Sequence, residues 1–321
     1  MAGQQRRERR IFVAGATGVL GRRVVPSLVK AGHQVTAMSR RTDSDQALVS
    51  AGAQPRRVSL FDQEALLRAL AGHDTVINLA TCIPPPTQAL SKKAWAENDR
   101  IRNRGADHLG AAATDAGVTT FIQESITLNY RDGGATWIDE SGGLGPVWNT
   151  RSALVAEGHA RRFGTTAGRS IVLRFATLYA ADAAHTQFMA RYAARGWAPL
   201  FGAADAYFSL LHADDAANAV VAALDADSGT YNVVDNEPLT RRQLLNAMAL
   251  AAGRKRLKRL PDWLLRLTGG DVAALLMRSQ RVSNRAFRRQ TGWNPTWPDA
   301  LTHWPRVFAD ATAMADTPGR R

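Results

Sequence analysis

One cysteine, Cys82, serves the whole of a 321-residue chain, which excludes an internal disulfide and any cysteine-built metal cluster. Lysine is scarce as well and occurs only as Lys30, Lys92, Lys93, Lys255 and Lys258. No apolar run reaches the roughly 18–20 residues that a membrane-spanning helix needs, so no membrane partner is expected. The first ten residues are polar and basic, and the apolar stretch after them breaks at Gly15. That fits a first β-strand better than a secretory leader, and the cytoplasm is the default compartment. Acidic residues are outnumbered 28 to 41, for a formal net charge of +13. Arginine clusters at 6–10, 254–259 and 281–289, an excess that suits a polyanion. No aromatic-interleaved basic stripe or DNA-reading motif accompanies it, so nucleic acid is not the expected partner. A phosphate-bearing cofactor needs only a few of these arginines.

Short apolar runs alternate with helix-like stretches at the spacing of repeated βα units. Strands are expected at 11–14, 34–38, 57–60, 75–79, 119–123 and 170–175. Helices are expected between them at 21–31, 63–70, about 94–116 and 152–163. The near-continuous apolar run at 75–79 fits a strand buried on both faces. Past 178 the alternation stops, with helices expected at 186–195, 213–224 and 240–252 and a late strand at 230–234 that rejoins the sheet. The stretch 255–304 is helical and rich in tryptophan. The fold expected is α/β: a Rossmann-type doubly wound parallel sheet over 1–180 with a smaller, mostly helical substrate domain over 181–310. The tail at 311–321 is expected to be disordered.

The sharpest signal is the segment 11–21, Ile-Phe-Val-Ala-Gly-Ala-Thr-Gly-Val-Leu-Gly. A buried strand runs into Gly15, Gly18 and Gly21 and then into a helix. Gly15 permits the tight turn, Gly18 lets a diphosphate approach the backbone, and Gly21 lets helix and strand pack closely. Free N–H groups at the helix start attract the phosphates. Thr17, Val19 and Leu20 complete the binding turn. The second strand ends Ser39-Arg40-Arg41, where an NAD-selective site usually carries an acidic residue. Arginines there suit the 2′-phosphate of NADP(H), through charge-assisted hydrogen bonds, and NAD(H) is the lesser alternative. Leu60 belongs with the cofactor-binding residues, and Asp62 lies near the adenine or caps a helix.

These motifs resemble the extended short-chain dehydrogenase/reductase superfamily, the NAD-dependent epimerase/dehydratase group. The resemblance includes the glycine turn, Asn78-Leu79-Ala80, the segment 121–125, Leu173-Arg174-Phe175, Leu178-Tyr179, His212 with Asp214 and Asp215, and the segment 230–234. It implies that the nicotinamide lies between the ends of strands four and five and the chain after strand six, lined by Ala80, Thr81, Ser125 and Phe175. Active members of that family carry a tyrosine and, four residues later, a lysine that lowers its pKa for proton exchange. Aligned on Glu157, those positions fall on Asn149 and Ala153, and the family's hydroxyl position, aligned on Tyr130, falls on Ile126, between Ser125 and Thr127. The usual proton relay is absent, which marks an atypical member.

Tyr130 is then the remaining acid–base candidate, or a structural aromatic packed under a loop. Ser125 and Thr127 hydrogen-bond a substrate carbonyl or satisfy backbone groups at the strand end. Glu124 is a buried base or a surface carboxylate, and Asn149 and Arg151 sit where substrate contacts are expected. In this family the segment 212–215 closes the second domain against the first, so no metal is expected there. Cys82 faces the pocket or is a buried inert thiol. Trp263, Trp293, Trp297 and Trp304 are expected in the core of the second domain rather than in a ligand cage. The functions that follow are, in order, an NADP(H)-dependent oxidoreductase acting on a carbonyl or alcohol of a small organic substrate, a redox-neutral epimerase, dehydratase or cyclase of the same fold, and a binding protein that senses NADP(H) without turnover. A homodimer is left open.

Overall fold

The computed structural model describes residues 8–259 and 261–315. Its frame is a parallel sheet built from β1 (Arg10–Ala14), β2 (Gln34–Ser39), β3 (Gln54–Arg57), β4 (Thr75–Asn78), β5 (Thr120–Ile126), β6 (Arg169–Phe175) and a late strand, Gly229–Val233. Between the last two in sequence lie the short β7 (Thr177–Tyr179) and β8 (Leu210–His212), which pair with each other in parallel, so the late strand is β9. The seven-strand order is β9-β6-β5-β4-β1-β2-β3. The order reverses between β1 and β4, and all seven carboxyl ends share one edge, where open α/β sheets bind their ligands.

Alternation of side chains along β1 feeds two cores. Ile11 and Val13 point to one face, where they meet Val24 and Val25 of α1 (Gly21–Lys30) and Val220 of α8 (Ala213–Ala222). Phe12 and Ala14 point to the other, beside Leu66 of α3 (Gln63–Leu70), Leu109 of α5 (Ala106–Asp115) and Phe163 of α6 (Arg151–Thr166). The chain beyond 180 is therefore not all a separate layer, since α8 and β9 return to the sheet. A third core gathers Met189 of α7 (Ala184–Ala194), Leu244 and Met248 of α9 (Arg241–Ala251), and Trp304 and Phe308 of α12 (Ala300–Ala315), which follows α11 (Arg285–Thr291). Thr240 caps α9 in a reciprocal capping box with Gln243.

Several local expectations need correction. The third strand is Gln54–Arg57, not 57–60, because the apolar Val58 and Leu60 turn inward after an edge strand made of polar residues. Pro55 is tolerated there because β3 pairs on one side only. Helix α2 (Thr42–Ser50) has one buried side chain, Leu48, and so left almost no apolar period to read. The long helix at 94–116 is α4 (Lys92–Arg100), a π-helical turn at Ile101–Gly105, and α5. Helix α12 extends through Ala315, with Ala311 in the third core, where a disordered tail is expected, and 316–321 lie outside the described residues. Trp304 lies in the third core with Trp297 packed against it, whereas Trp293 joins the sheet's core and Trp263 is 62% exposed at the start of α10 (Asp262–Met277).

Candidate functional site

The turn after β1 shows what each glycine is for. Gly15 has φ 78°, and a Cβ on it would lie 2.5 Å from the Leu79 carbonyl carbon, inside the end of β4. A Cβ on Gly21 would lie 2.1 Å from the Gly15 oxygen. The fold itself demands both. Gly18 differs, because its amide donates to the Gly15 oxygen at 3.1 Å and an added Cβ would meet only that oxygen, at an ordinary 3.4 Å. Packing by itself leaves room for a side chain at Gly18. The first turn of α1 holds no acidic residue and Leu20 offers no side-chain cap, while the Arg22 and Arg23 amides donate to the Gly18 and Leu20 oxygens at 3.0 Å. Thr17 and Gly18 are exposed on this turn, Val19 is half-buried, and Leu20 faces the core.

At the end of β2, Ser39 is buried and its hydroxyl donates to the Asp45 carboxylate. Arg57, its register partner on β3, donates to the same carboxylate through Nε at 3.0 Å and a terminal nitrogen at 2.7 Å. The Ser39 hydrogen bond first, and the Arg57 guanidinium second, hold the Asp45 carboxyl below its ordinary value. Arg41 pairs with Asp43 at the surface, whereas exposed Arg40 has no ion pair among the described residues. Sequence reading found two of the three guanidinium groups at this corner and missed Arg57 and Asp45, because they reach Ser39 from a helix and a neighbouring strand. Leu60 is buried against the π-helical turn, where a Cβ on Gly105 would come within 3.2 Å of it. Asp62 caps α3, accepting from the Ala65 amide at 3.0 Å.

The loop after β4 is held by amides. Ala80 N donates to Asn78 Oδ1 at 3.2 Å, Asn78 Nδ2 donates to Gln123 Oε1 at 2.9 Å, and Cys82 N donates to Asn98 Oδ1 at 3.1 Å. Asn98, on α4, had no signal in the sequence. Thr81 is half-buried, and Cys82 is exposed instead of being a buried thiol. Glu124 is not a surface carboxylate, since it is buried in a 2.8 Å ion pair with Arg102 of the π-helical turn.

At the ends of β5 and β6 a buried network replaces an open cleft. Glu157 of α6 takes the Ser125 hydroxyl at 2.6 Å, Arg174 at 2.8 Å through two nitrogens, and Arg161 at 3.1 Å. Arg174 also donates to the Tyr130 hydroxyl at 2.9 Å, and that hydroxyl donates to Asn232 Oδ1 of β9 at 2.8 Å. Burial pushes the Glu157 carboxyl up, but the Arg174 and Ser125 hydrogen bonds overcome this and leave it below its ordinary value. Burial pushes the Tyr130 phenol up, against the pull of Arg174. Ser125 and Tyr130 are both 0% exposed, so neither hydroxyl is presented to a cleft. Thr127 is buried beside them, and its hydroxyl makes no hydrogen bond among the described residues. Asn149 is buried at the start of α6, Arg151 is exposed, Ala153 is buried, and Phe175 closes β6 from within. Helix α6 contains neither tyrosine nor lysine.

Two acidic residues from beyond position 180 pair with the start of α1. Arg22 and Arg23, in the first turn of α1, pair with Asp182 at 2.7 and 2.8 Å, and Arg23 pairs with Asp214 at 2.6 Å. The segment 212–215 is occupied structurally. His212 caps α8 and stacks on Trp297, while Asp215 accepts the amides of Thr296 at 2.9 Å and Trp297 at 2.8 Å.

The profile of the NAD dependent epimerase/dehydratase family matches residues 11–234. The chain is similar to a 3-diazoavenalumate denitrifying reductase of a Streptomyces species, at 31% identity over 91% of this chain and 99% of that one. Human epimerase family protein SDR39U1, solved with NADPH, superposes with a TM-score of 0.76 at 21% identity, covering 95% of this chain and 99% of that one. UDP-glucose-4-epimerase from Stenotrophomonas maltophila, solved with NAD and formylated UDP-arabinopyranose, superposes with a TM-score of 0.77 at 20% identity, covering 96% and 99%. At such identities the likeness of the two solved structures is one of fold.

Proposed function

The chain belongs to the NAD dependent epimerase/dehydratase family, and from that premise we propose that it is an NADP(H)-dependent reductase of a small organic substrate, working without a protein proton relay. The observation that carries this reading is the composition of α6 together with the engagement of the neighbouring hydroxyls. Helix α6 has no tyrosine–lysine pair, and Ser125 and Tyr130 are committed to Glu157 and Asn232. Asn149 and Ala153, at the positions the family gives to the pair, exchange no proton near neutral pH. The spare room at Gly18, the uncapped start of α1 and the guanidinium groups of Arg40, Arg41 and Arg57 support NADP(H) as the cofactor. NADPH, when bound, supplies a hydride.

An acceptor that needs no proton fits such a site best, and an aryl diazonium group is one. Written for the diazonium form, the carbon–nitrogen bond breaks with its electron pair leaving on N2, and the hydride supplies the pair of the new carbon–hydrogen bond. No proton enters or leaves. The denitrifying reductase named above is the relative that makes this acceptor concrete. A carbonyl acceptor needs one proton, for which water is the source at a site of this composition. For either acceptor, the chain's part is to orient the reactants and exclude bulk water around Ala80, Thr81 and Phe175.

The test uses the full-length protein with 4-deuterated NADPH and, separately, benzenediazonium and a panel of aldehydes and ketones. Protein-dependent loss of NADPH with N2 release and one deuterium in the arene is the expected result. Turnover of carbonyls alone would replace the diazo acceptor with the carbonyl one. Tight NADPH binding with no consumption under any condition would overturn the reductase reading.

A further inference from the structure

The second layer exposes large apolar side chains beside a run of basic ones. Leu250, in the last turn of α9, is 73% exposed, and Trp263 and Leu267, one turn apart on α10, are 62% and 75% exposed. The second half of α10, past the kink at Gly270, instead buries Val272, Ala273 and Leu275. Hydrogen bonds bring the end of α9 and the start of α10 together with the end of α7. The two-residue strands Trp197–Ala198 and Lys258–Arg259 pair in parallel, and Arg254 donates to the Ala194 oxygen. Arg259 donates to the Leu200 oxygen at 3.0 Å, and Asp262 at the head of α10 accepts the Gly202 amide at 3.0 Å. Trp197 is 39% exposed and has the Lys258 ammonium 5.8 Å from its ring centre. The stretches 191–198, 250–258 and 263–267 hold seven arginines and lysines and no acidic residue. Asp262, the acidic residue between the last two, is engaged by Arg259 at 3.3 Å as well as by the Gly202 amide.

We propose that this face is a docking surface for an anionic lipid bilayer. Exposed apolar patches mark interaction sites, and tryptophan and leucine beside arginine and lysine are what attachment at a membrane interface uses. The apolar groups enter the boundary between headgroups and acyl chains, while the cations stay at the level of the lipid phosphates. A second copy of this chain fits less well, because a two-fold contact sets the basic run 254–258 against itself. A nucleic acid satisfies the cations and stacks on the indoles, but it leaves Leu250 and Leu267 without a role. No helix among the described residues is long and apolar enough to cross a membrane, so this attachment is made by side chains at one leaflet. The expectation of no membrane partner rests on spanning segments alone. A face assembled from three separate stretches of chain lies outside what it covers.

Full-length protein is mixed with sucrose-loaded vesicles of phosphatidylcholine, with or without phosphatidylglycerol, and bound protein is read by sedimentation. Binding to the anionic vesicles is expected to be at least about tenfold tighter than to the neutral ones, and to weaken as salt is raised. Trp263→Ala combined with Leu267→Ala is expected to lower affinity for anionic vesicles about tenfold or more, through lost apolar burial. Lys255→Glu combined with Arg256→Glu is expected to bring it down to the level of the neutral vesicles. All four side chains are exposed, so both variants should fold, and circular dichroism of each checks this. No binding to anionic vesicles, equal binding to both kinds, or binding that survives the apolar variant would overturn the proposal. Tighter binding of a single-stranded oligonucleotide than of vesicles would overturn it in favour of nucleic acid. Dimerisation lost in the apolar variant, without vesicle binding, would overturn it in favour of a second copy.

Discussion

Two corners of the same sheet edge are built on different principles. The corner at β1 and α1 is made of backbone: a left-handed glycine, two close approaches and a helix start without a side-chain cap, all within residues 11–23. The corner at β5, β6 and α6 is made of side chains whose partners are distant in sequence. Ser125 meets Glu157, 32 residues on, and Tyr130 meets Asn232, 102 residues on. The first corner is the one we propose for the ligand, and its packing forbids a side chain only at Gly15 and Gly21. The second is a buried charged junction whose integrity the fold requires. Ligand binding and stability are thus divided between the two, and mutations should separate them.

The largest effect is expected at the side-chain corner. Glu157→Gln leaves Arg174 buried without its carboxylate and should cost about 3–5 kcal/mol of unfolding free energy, read by urea denaturation. The pH dependence follows from the same residue. The Glu157 carboxyl lies below its ordinary value in the folded chain, so its contribution is present above the unfolded value of about 4.3 and is lost as pH falls through the lower folded value. Wild type should therefore lose stability steeply below about pH 4, and the variant should show a flatter acid limb. A cofactor affinity that fell in proportion to stability would erase the distinction between the corners.

Gly18→Ala comes next and should have the opposite profile. The added methyl meets only an ordinary contact in the free protein, so stability should move by less than about 1 kcal/mol. Dinucleotide affinity should fall by a factor of about ten or more, since the methyl occupies the approach path of the diphosphate. Calorimetry showing unchanged NADPH binding would mean that the spare room at Gly18 is not used by a cofactor.

The smallest effect concerns selectivity. Arg40→Ser together with Arg41→Ser should weaken NADPH by roughly tenfold, the worth of one or two charge-assisted hydrogen bonds, and leave NADH nearly unchanged. An equal loss for both cofactors would assign the arginines to general attraction of anions. Adding Arg57→Ser should free Asp45 from its guanidinium partner and shift preference further toward NADH.

The glycine turn, the βα alternation and the parallel sheet were readable because each rests on contacts within one or two adjacent elements. The edge strand Gln54–Arg57 and helix α2 were not, because neither carries the apolar period that marks a buried face. Tyr130 drew attention as the aromatic hydroxyl nearest the expected site, yet its burial depends on Arg174 and Asn232, which no local pattern connects to it. Glu124 and Cys82 show the same limit, since a carboxylate and a thiol near a strand end carry no mark of which one is buried.

By itself the sequence determined the dinucleotide turn, since backbone geometry there depends on glycines three residues apart, and it determined that α6 has no tyrosine–lysine pair, which is a matter of composition. Only the tertiary structure decided which polar groups are spent and which are left without partners. Hydrogen bonds between residues 20 to 100 positions apart form when the sheet brings strand ends together, and nothing local encodes that meeting. The face around Trp197, Lys258 and Trp263 belongs to this second class, because separate stretches of chain meet in it.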